Sequence, residues 1–180
     1  MAQTNWVISE LKKVNPDSEY EIKPITTKGD TDTRPLFTIE QKGIFEKEID
    51  KAVAEREVDF AVHSLKDVPS QLADNLIIAS IPKREKVNDV FISFDGSSLD
   101  KIKSGSVIGT SSLRRAVQVI RQRSDVTVKP IRGNIETRIK KISGELFDAI
   151  VLAQAGISRL GVDVNFTSLS TDDFSPSPGQ

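Results

Sequence analysis

Between Thr110 and Lys141 the chain carries nine Lys or Arg residues against only two acids, Asp125 and Glu136. The whole chain is balanced, with 25 basic and 26 acidic residues and a formal net charge of -1, so the cations are concentrated rather than abundant. A guanidinium group offers a planar fork of donors, and several of them on short loops suit the capture of multiple carboxylates or phosphates. In Gly109-Thr110-Ser111-Ser112 a glycine precedes three hydroxyl residues at a helix start, a pattern that suits both an N-cap, with Ser112 as candidate, and an anion nest. Arg114 and Arg115 follow in the first turn, where the helix dipole disfavours cations by roughly 0.3–1 kcal/mol each. A bound anion or a neighbouring carboxylate would offset that cost. Arg132 falls in a loop, and Arg138 lies one turn into a helix that Asn134 caps. Arg159 follows the last strand and either joins this set or contacts a helix C-terminus.

A second group of reactive side chains occupies His63-Ser64-Leu65-Lys66-Asp67-Val68-Pro69. Asp67 can serve as a general acid or base, or stabilise a cation that forms during a reaction. Lys66 keeps it ionised if the two groups converge; the same pair also suits an exposed turn. Ser64 suits either a ligand bond or a cap on the turn. His63 is read as orienting the loop or packing, because no Ser/Asp pattern surrounds it.

Composition narrows the chemistry. The chain has no Cys and one His, which excludes disulfides, thiolate chemistry and Cys- or His-rich metal sites. No apolar run approaches the roughly 20 residues that cross a bilayer, and no signal-peptide pattern opens the chain. A cytoplasmic location is the default. The balanced charge argues against a general nucleic-acid binder.

These residues need elements to hold them. Trp6, Val7, Leu11 and Val14 recur at helical spacing up to Pro16. Tyr20 and Ile22, with Ile25 beyond Pro24, read as a half-buried strand. Lys28-Gly29-Asp30 is a turn signal, and 31–41 shows no period and reads as a loop. Ile44, Phe45, Ile49, Ala52 and Val53 form a helical stripe. Val58–Val62 and Leu76–Ile81 read as strands, the first delivering His63 to Asp67. A crossover to a second domain is placed at residues 82–89. Beyond it come strands at 90–93, 107–109, 126–131 and 147–152. They alternate with helices at Ser111–Arg123, whose inner face is expected to be Leu113, Ala116, Val117 and Ile120, and at Ile135–Ile142. Such alternation predicts parallel α/β sheets with ligands at the C-terminal strand ends, where HSLKDVP, GTSSLRR and Arg132-Gly133-Asn134 all fall.

HSLKDVP, GTSSLRR, RGNIETR and AGISRLG, in this order and at these separations, closely resemble the porphobilinogen deaminase (hydroxymethylbilane synthase) family. Lys28-Gly29-Asp30 and Lys42-Gly43-Ile44-Phe45 resemble two further motifs, and the resemblance runs over essentially the whole chain. It implies an α/β fold of two lobes like those of type II periplasmic binding proteins, with a cleft between them. Lobe one would span 1–84, lobe two 85–176, and 177–180 would begin a return to lobe one. It also implies a transferase of tetrapyrrole (haem) biosynthesis. The family joins four porphobilinogen molecules head to tail on a dipyrromethane cofactor, with release of ammonia, and frees hydroxymethylbilane. Every pyrrole carries acetate and propionate groups, which the arginines would answer. By resemblance Asp67 is the catalytic aspartate. Ser64, Lys66, Ser112, Arg114, Arg115, Arg132 and Arg138 match cofactor-binding positions, and Arg132, Arg138 and Arg159 substrate-binding ones.

The chain also departs from the family pattern. A first strand with an Arg-x-Ser motif and a C-terminal domain bearing the cofactor's cysteine are both missing, and Glu40-Gln41 replaces a usual Gly-Gly. Without Cys the covalent link to dipyrromethane cannot form in this chain. The expectation is therefore a fragment truncated at both ends and inactive on its own, from an enzyme that is monomeric in its full-length form, with no membrane or nucleic-acid partner. Two alternatives follow from the residues alone. One is a non-catalytic, periplasmic-binding-protein-like module for small carboxylate anions. The other is a nucleic-acid binder using the basic stretch, whose affinity would fall steeply with salt but which has few aromatics for stacking.

Overall fold

The computed structural model describes residues 1–28, 46–143 and 145–180. The Lys28-Gly29-Asp30 turn, the loop over 31–41, Glu40-Gln41 and Lys42-Gly43-Ile44-Phe45 lie wholly or partly outside those residues. The fold is mixed α/β and divides into two compact units. The described part of unit one is 1–28, 46–83 and Pro178–Gln180; unit two is Arg84–Ser177. No helix among the described residues is long and apolar enough to cross a membrane.

Unit two is built on a five-stranded sheet of order β3-β2-β4-β1-β5. Its strands are β1 (Asp89–Ser93), β2 (Val107–Gly109), β3 (Thr127–Lys129), β4 (Ala149–Ala153) and β5 (Thr167–Ser168). Strand β2 pairs in parallel with both β3 and β4, whereas β1 pairs antiparallel with β4 and with β5. The sheet is thus mixed, not parallel throughout as the alternation predicts. Helical crossovers, which enforce parallel pairing, join β2 to β3 and β3 to β4, but no α-helix lies between β1 and β2.

The first four residues of both β1 and β4 are buried, because helices cover both faces of the sheet. Side-chain alternation divides the core in two. Phe91, Ala149 and Val151 pack with Val119 of a helix at Leu113–Gln122, while Val90, Ile92, Ile150 and Leu152 pack with Ile157 of a helix at Gln154–Leu160 and with Ile135 and Ile139 of a helix at Ile135–Lys140. Each fully buried Val, Ile, Leu or Phe contributes about 1.5–3 kcal/mol.

Unit one contains α1 (Ala2–Val14), α2 (Lys47–Ala54) and a single 3-10 turn, Leu65–Asp67. Accordingly the three helices of unit two are α3 (Leu113–Gln122), α4 (Ile135–Lys140) and α5 (Gln154–Leu160). Lys12 and Lys13 close α1 and Glu48 and Asp50 open α2, each matching the helix dipole. The stripe of α2 is as expected at Ala52, which is buried, and at half-buried Ile49 and Val53. The strands expected at Tyr20–Ile25, Val58–Val62 and Leu76–Ile81 are not present: no β-strand occurs among the described residues of unit one. A strand exists only through ladder hydrogen bonds to a neighbour, and these segments find none there. Several of their apolar side chains stay in water, with Phe60 47%, Ile77 84% and Ile81 68% exposed, while Tyr20, Ile22, Val58, Val62 and Leu76 are half-buried.

Candidate anion-binding site

Strand β2 ends at Gly109, where a Cβ would stand 2.9 Å from the Phe147 ring and 3.1 Å from Ile150. Only glycine fits this approach of the backbone to the core. The next three residues turn the chain into α3 by hydroxyl bonds. Thr110 Oγ1 accepts from Ser112 N–H at 3.2 Å, and Ser112, the N-cap, accepts from Arg115 N–H at 3.5 Å. Ser111 Oγ donates to the Ile131 carbonyl at 2.6 Å and accepts from Ile131 N–H at 3.1 Å. This reciprocal pair laces the loop after β2 to the loop after β3, which carries Arg132.

The second loop is pinned as tightly. Gly133 takes φ +116, a conformation L side chains rarely adopt. Asn134 caps α4 by accepting from Thr137 N–H at 2.8 Å. Arg138 Nε donates to the Gly133 carbonyl at 2.6 Å and Lys141 Nζ to the Arg132 carbonyl at 2.8 Å. Behind them α5 approaches α4 so closely that a Cβ on Gly156 would collide with Ile135 Cδ1.

Helix α3 buries a face other than the expected one. Leu113, Val117 and Ile120 are 70%, 59% and 41% exposed, and the buried residues are Arg115 and Val119. The cause is Asp89 at the start of β1, which is fully buried. Its Oδ2 accepts from Arg114 Nη2 at 2.7 Å and its Oδ1 from Arg115 Nη2 at 2.8 Å. An acid out of water requires paired cations, so both arginines turn inward and the apolar stripe turns out. The cation cost in the first turn of α3 is thereby offset by an internal carboxylate. Arg114 also donates from Nε to Ser177 Oγ at 3.1 Å, and from Nη1 to Gln118 Oε1 at 3.0 Å and to the Ser175 carbonyl.

Arg115 is less satisfied, because its Nε is buried without a hydrogen-bond partner. Burial first, then the charges of Arg115 and Arg132, push the Arg138 guanidinium below its ordinary value. Arg115 and Arg132 are therefore each near enough to Arg138 for their charges to act on it. Three such forks suit a ligand bearing more than one carboxylate. Arg159 is exposed in the last turn of α5, at the negative end of that helix.

In unit one, Ser64 precedes the 3-10 turn and donates from Oγ to Gln3 Oε1 of α1 at 2.8 Å. Within the turn Asp67 N–H donates to the Ser64 carbonyl at 2.9 Å. Asp67 itself is exposed and Lys66 half-buried. His63 Nε2 lies 3.6 Å from Asp50 Oδ1 of α2. Gly179, at φ +76, presses against the turn, and a Cβ there would stand 2.8 Å from the Leu65 carbonyl carbon and 2.9 Å from Lys66 N. The turn is thus braced from α1, α2 and Pro178–Gln180.

Sequence reasoning missed Asp89, Ser111, Gln3 and Asp50. Asp89, an acid directly before the apolar run Val90-Phe91-Ile92, was the one with a readable signal, since an acid at a buried strand start needs a cationic partner. Among the described residues no group of three His, Cys, Asp or Glu is placed to hold a metal.

A family model described as "Porphobilinogen deaminase, dipyromethane cofactor binding domain" matches residues 1–180. The chain is 82% identical over 180 residues to a probable porphobilinogen deaminase of Nitrosopumilus maritimus (strain SCM1), covering 100% of this chain and 58% of that protein. It is 51% identical over 177 residues to the porphobilinogen deaminase of Listeria innocua, covering 98% of this chain and 57% of the relative. To that of Bacillus velezensis it is 49% identical over 183 residues, covering 100% and 58%. The chain thus spans somewhat more than half the length of the curated relatives it matches.

Proposed function

We propose a function from one premise: the chain belongs to the porphobilinogen deaminase family. In this reading it supplies the cofactor- and substrate-binding part of a transferase that condenses four porphobilinogen molecules into hydroxymethylbilane with loss of ammonia. The observation that carries the reading is the gathering of Arg115, Arg132 and Arg138 in unit two, with the Arg115 Nε buried and unbonded. That donor set fits the acetate and propionate groups of a dipyrromethane, and a bound carboxylate would relieve the repulsion at Arg138.

A dipyrromethane, when bound, supplies the pyrrole carbon to which the next pyrrole is joined. The residues of this chain do the rest. Arg115, Arg132 and Arg138 bind and orient the acidic side chains; Ser112, Arg114 and, from α5, Arg159 belong to the same binding assignment. Asp67, on its braced turn, offers an ionised carboxylate that can offset positive charge on the reacting pyrrole and hold a proton from it. Ser64 and Lys66 hold the cofactor beside it. The two units are read as two type II lobes with limits at 1–84, 85–176 and 177–180, and the protein as a cytoplasmic monomer when full-length.

The chain contains no Cys, so it has no thiol to carry a covalent pyrrole and is expected not to turn over alone. Calorimetric titration of the 180-residue chain with porphobilinogen tests the binding. Saturable binding is expected, weakened about tenfold to a hundredfold in Arg138→Gln, as for loss of a hydrogen bond to a charged group. No binding, or binding indifferent to Arg138, would sink the site assignment. Sustained release of hydroxymethylbilane by the chain would sink the expectation of inactivity. Binding in which Asp67→Ala alters affinity alone, with no pigment formed, would favour the non-catalytic carboxylate-binding module.

A further inference from the structure

Asp89 has no solvent-exposed surface, and each of its carboxylate oxygens takes a different arginine, Arg114 at 2.7 Å and Arg115 at 2.8 Å. The three groups sum to one net positive charge, held inside unit two. Stability is a weak reason for such an arrangement. Desolvating buried ions is costly, and apolar side chains of the same volume often serve stability as well or better. What a buried acid between two cations does achieve is orientation. Arginine otherwise loses much rotamer freedom when it binds a ligand, and here that loss is already met by folding. Asp89 occupies Nη2 of Arg115 and leaves Nε unbonded in a buried setting, while Arg138 senses the charge of Arg115.

We propose that Asp89 is a positioning residue of the anion site, fixing Arg114 and Arg115 side by side and leaving the Nε–H of Arg115 for a ligand carboxylate. The inference rests on the reading of unit two as a carboxylate-binding site, and its test separates the two. Asp89→Asn keeps the shape and one acceptor oxygen but removes the charge. In 15N NMR of the full chain the Arg115 Nη signals are separate while Asp89 holds one of them. They merge in the variant as rotation about the Nε–Cζ bond quickens. Porphobilinogen affinity, by calorimetry, falls about tenfold.

A purely structural Asp89 would lower the melting temperature and leave both readouts of the folded protein at wild-type values. Nη signals that stay separate in the variant, or an affinity change under about threefold, overturn the proposal. If the wild-type chain does not bind porphobilinogen, the proposed function fails and the NMR comparison alone decides the role of Asp89. Should Asp89→Asn fail to fold, the double variant Asp89→Asn/Arg114→Gln removes charge from both sides of the pair, and the Arg115 Nη signals decide: merged signals support the proposal and separate ones overturn it.

Discussion

Unit two and unit one carry similar apolar patterns and realise them differently. In unit two the runs Val90-Phe91-Ile92 and Ala149-Ile150-Val151-Leu152 pair with each other and disappear from solvent. In unit one Val58–Val62 and Leu76–Ile81 have the same β-branched, apolar character, yet they form no ladder among the described residues, and Phe60, Ile77 and Ile81 remain exposed. An apolar run records readiness to pair; it does not supply the partner. The binding chemistry divides along the same line. The arginines stand on a loop and on two helices that follow strands of the five-stranded sheet, whereas Asp67 stands on a short turn braced by side chains and by a glycine contact.

The largest effect that would break this comparison comes from two phenylalanines. Phe91 is 1% exposed inside the sheet core, and Phe91→Ala is expected to cost about 3–5 kcal/mol through lost burial and an unfilled cavity. Phe60, at 47% exposure, is expected to cost no more than about 0.5 kcal/mol when cut to Ala. Chemical denaturation followed by hydrogen exchange of the β1 and β4 amides reads both. Equal losses at the two positions would mean that unit one packs its apolar residues as unit two does, and the contrast would fall.

Much of unit two was legible because its signals are local. Ser112 and Asn134 lie at helix starts and act as caps, as their side chains dictate. Strands β1, β2 and β4 follow from short apolar runs bounded by polar residues. What was not legible depends on distant partners. Leu113, Val117 and Ile120 read as the inner stripe of α3, but Asp89, more than twenty residues upstream, draws Arg115 inward and reverses the helix face. The antiparallel course of β1 was hidden because the alternation of strands and helices speaks only for strands joined by a helical crossover. For the candidate site, the clustering of basic residues on loops was visible. The approach of Arg115 and Arg132 to Arg138 depends on three separate elements of the chain, which spacing alone does not bring together.

A smaller effect sharpens the link between fold and binding. Ser111→Ala removes both bonds between the loop that leads into α3 and the loop that carries Arg132, and leaves the N–H of buried Ile131 without its acceptor. A loss of about 1–3 kcal/mol is expected, the cost of an unsatisfied buried donor. If the lacing also sets the spacing of Arg115 and Arg132, porphobilinogen affinity falls in the still-folded variant at low temperature. Weakened stability with unchanged affinity would show that each loop holds its arginine independently.

The smallest effect concerns a pair far from the proposed chemistry and serves as its control. Arg123 bonds both carboxylate oxygens of Asp125, at 2.7 and 2.8 Å, and also donates to the carbonyls of Leu99 and Ile102. The hydrogen bond from Arg123 holds the Asp125 carboxyl well below the usual carboxylate range. A group with a depressed folded pKa adds stability above its unfolded pKa, and that stability is lost as pH falls toward the folded value. Asp125→Asn should therefore melt slightly below wild type at pH 7, on the order of 1–3 °C, because Asp125 is exposed and its charge screened. The gap should narrow as pH drops below about 4, the ordinary value for aspartate, since protonation of the wild type removes what the variant already lacks. Porphobilinogen affinity should not change. A gap that widens in acid would reverse the sign of the coupling, and a change in affinity would extend the anion site beyond the arginines assigned to it.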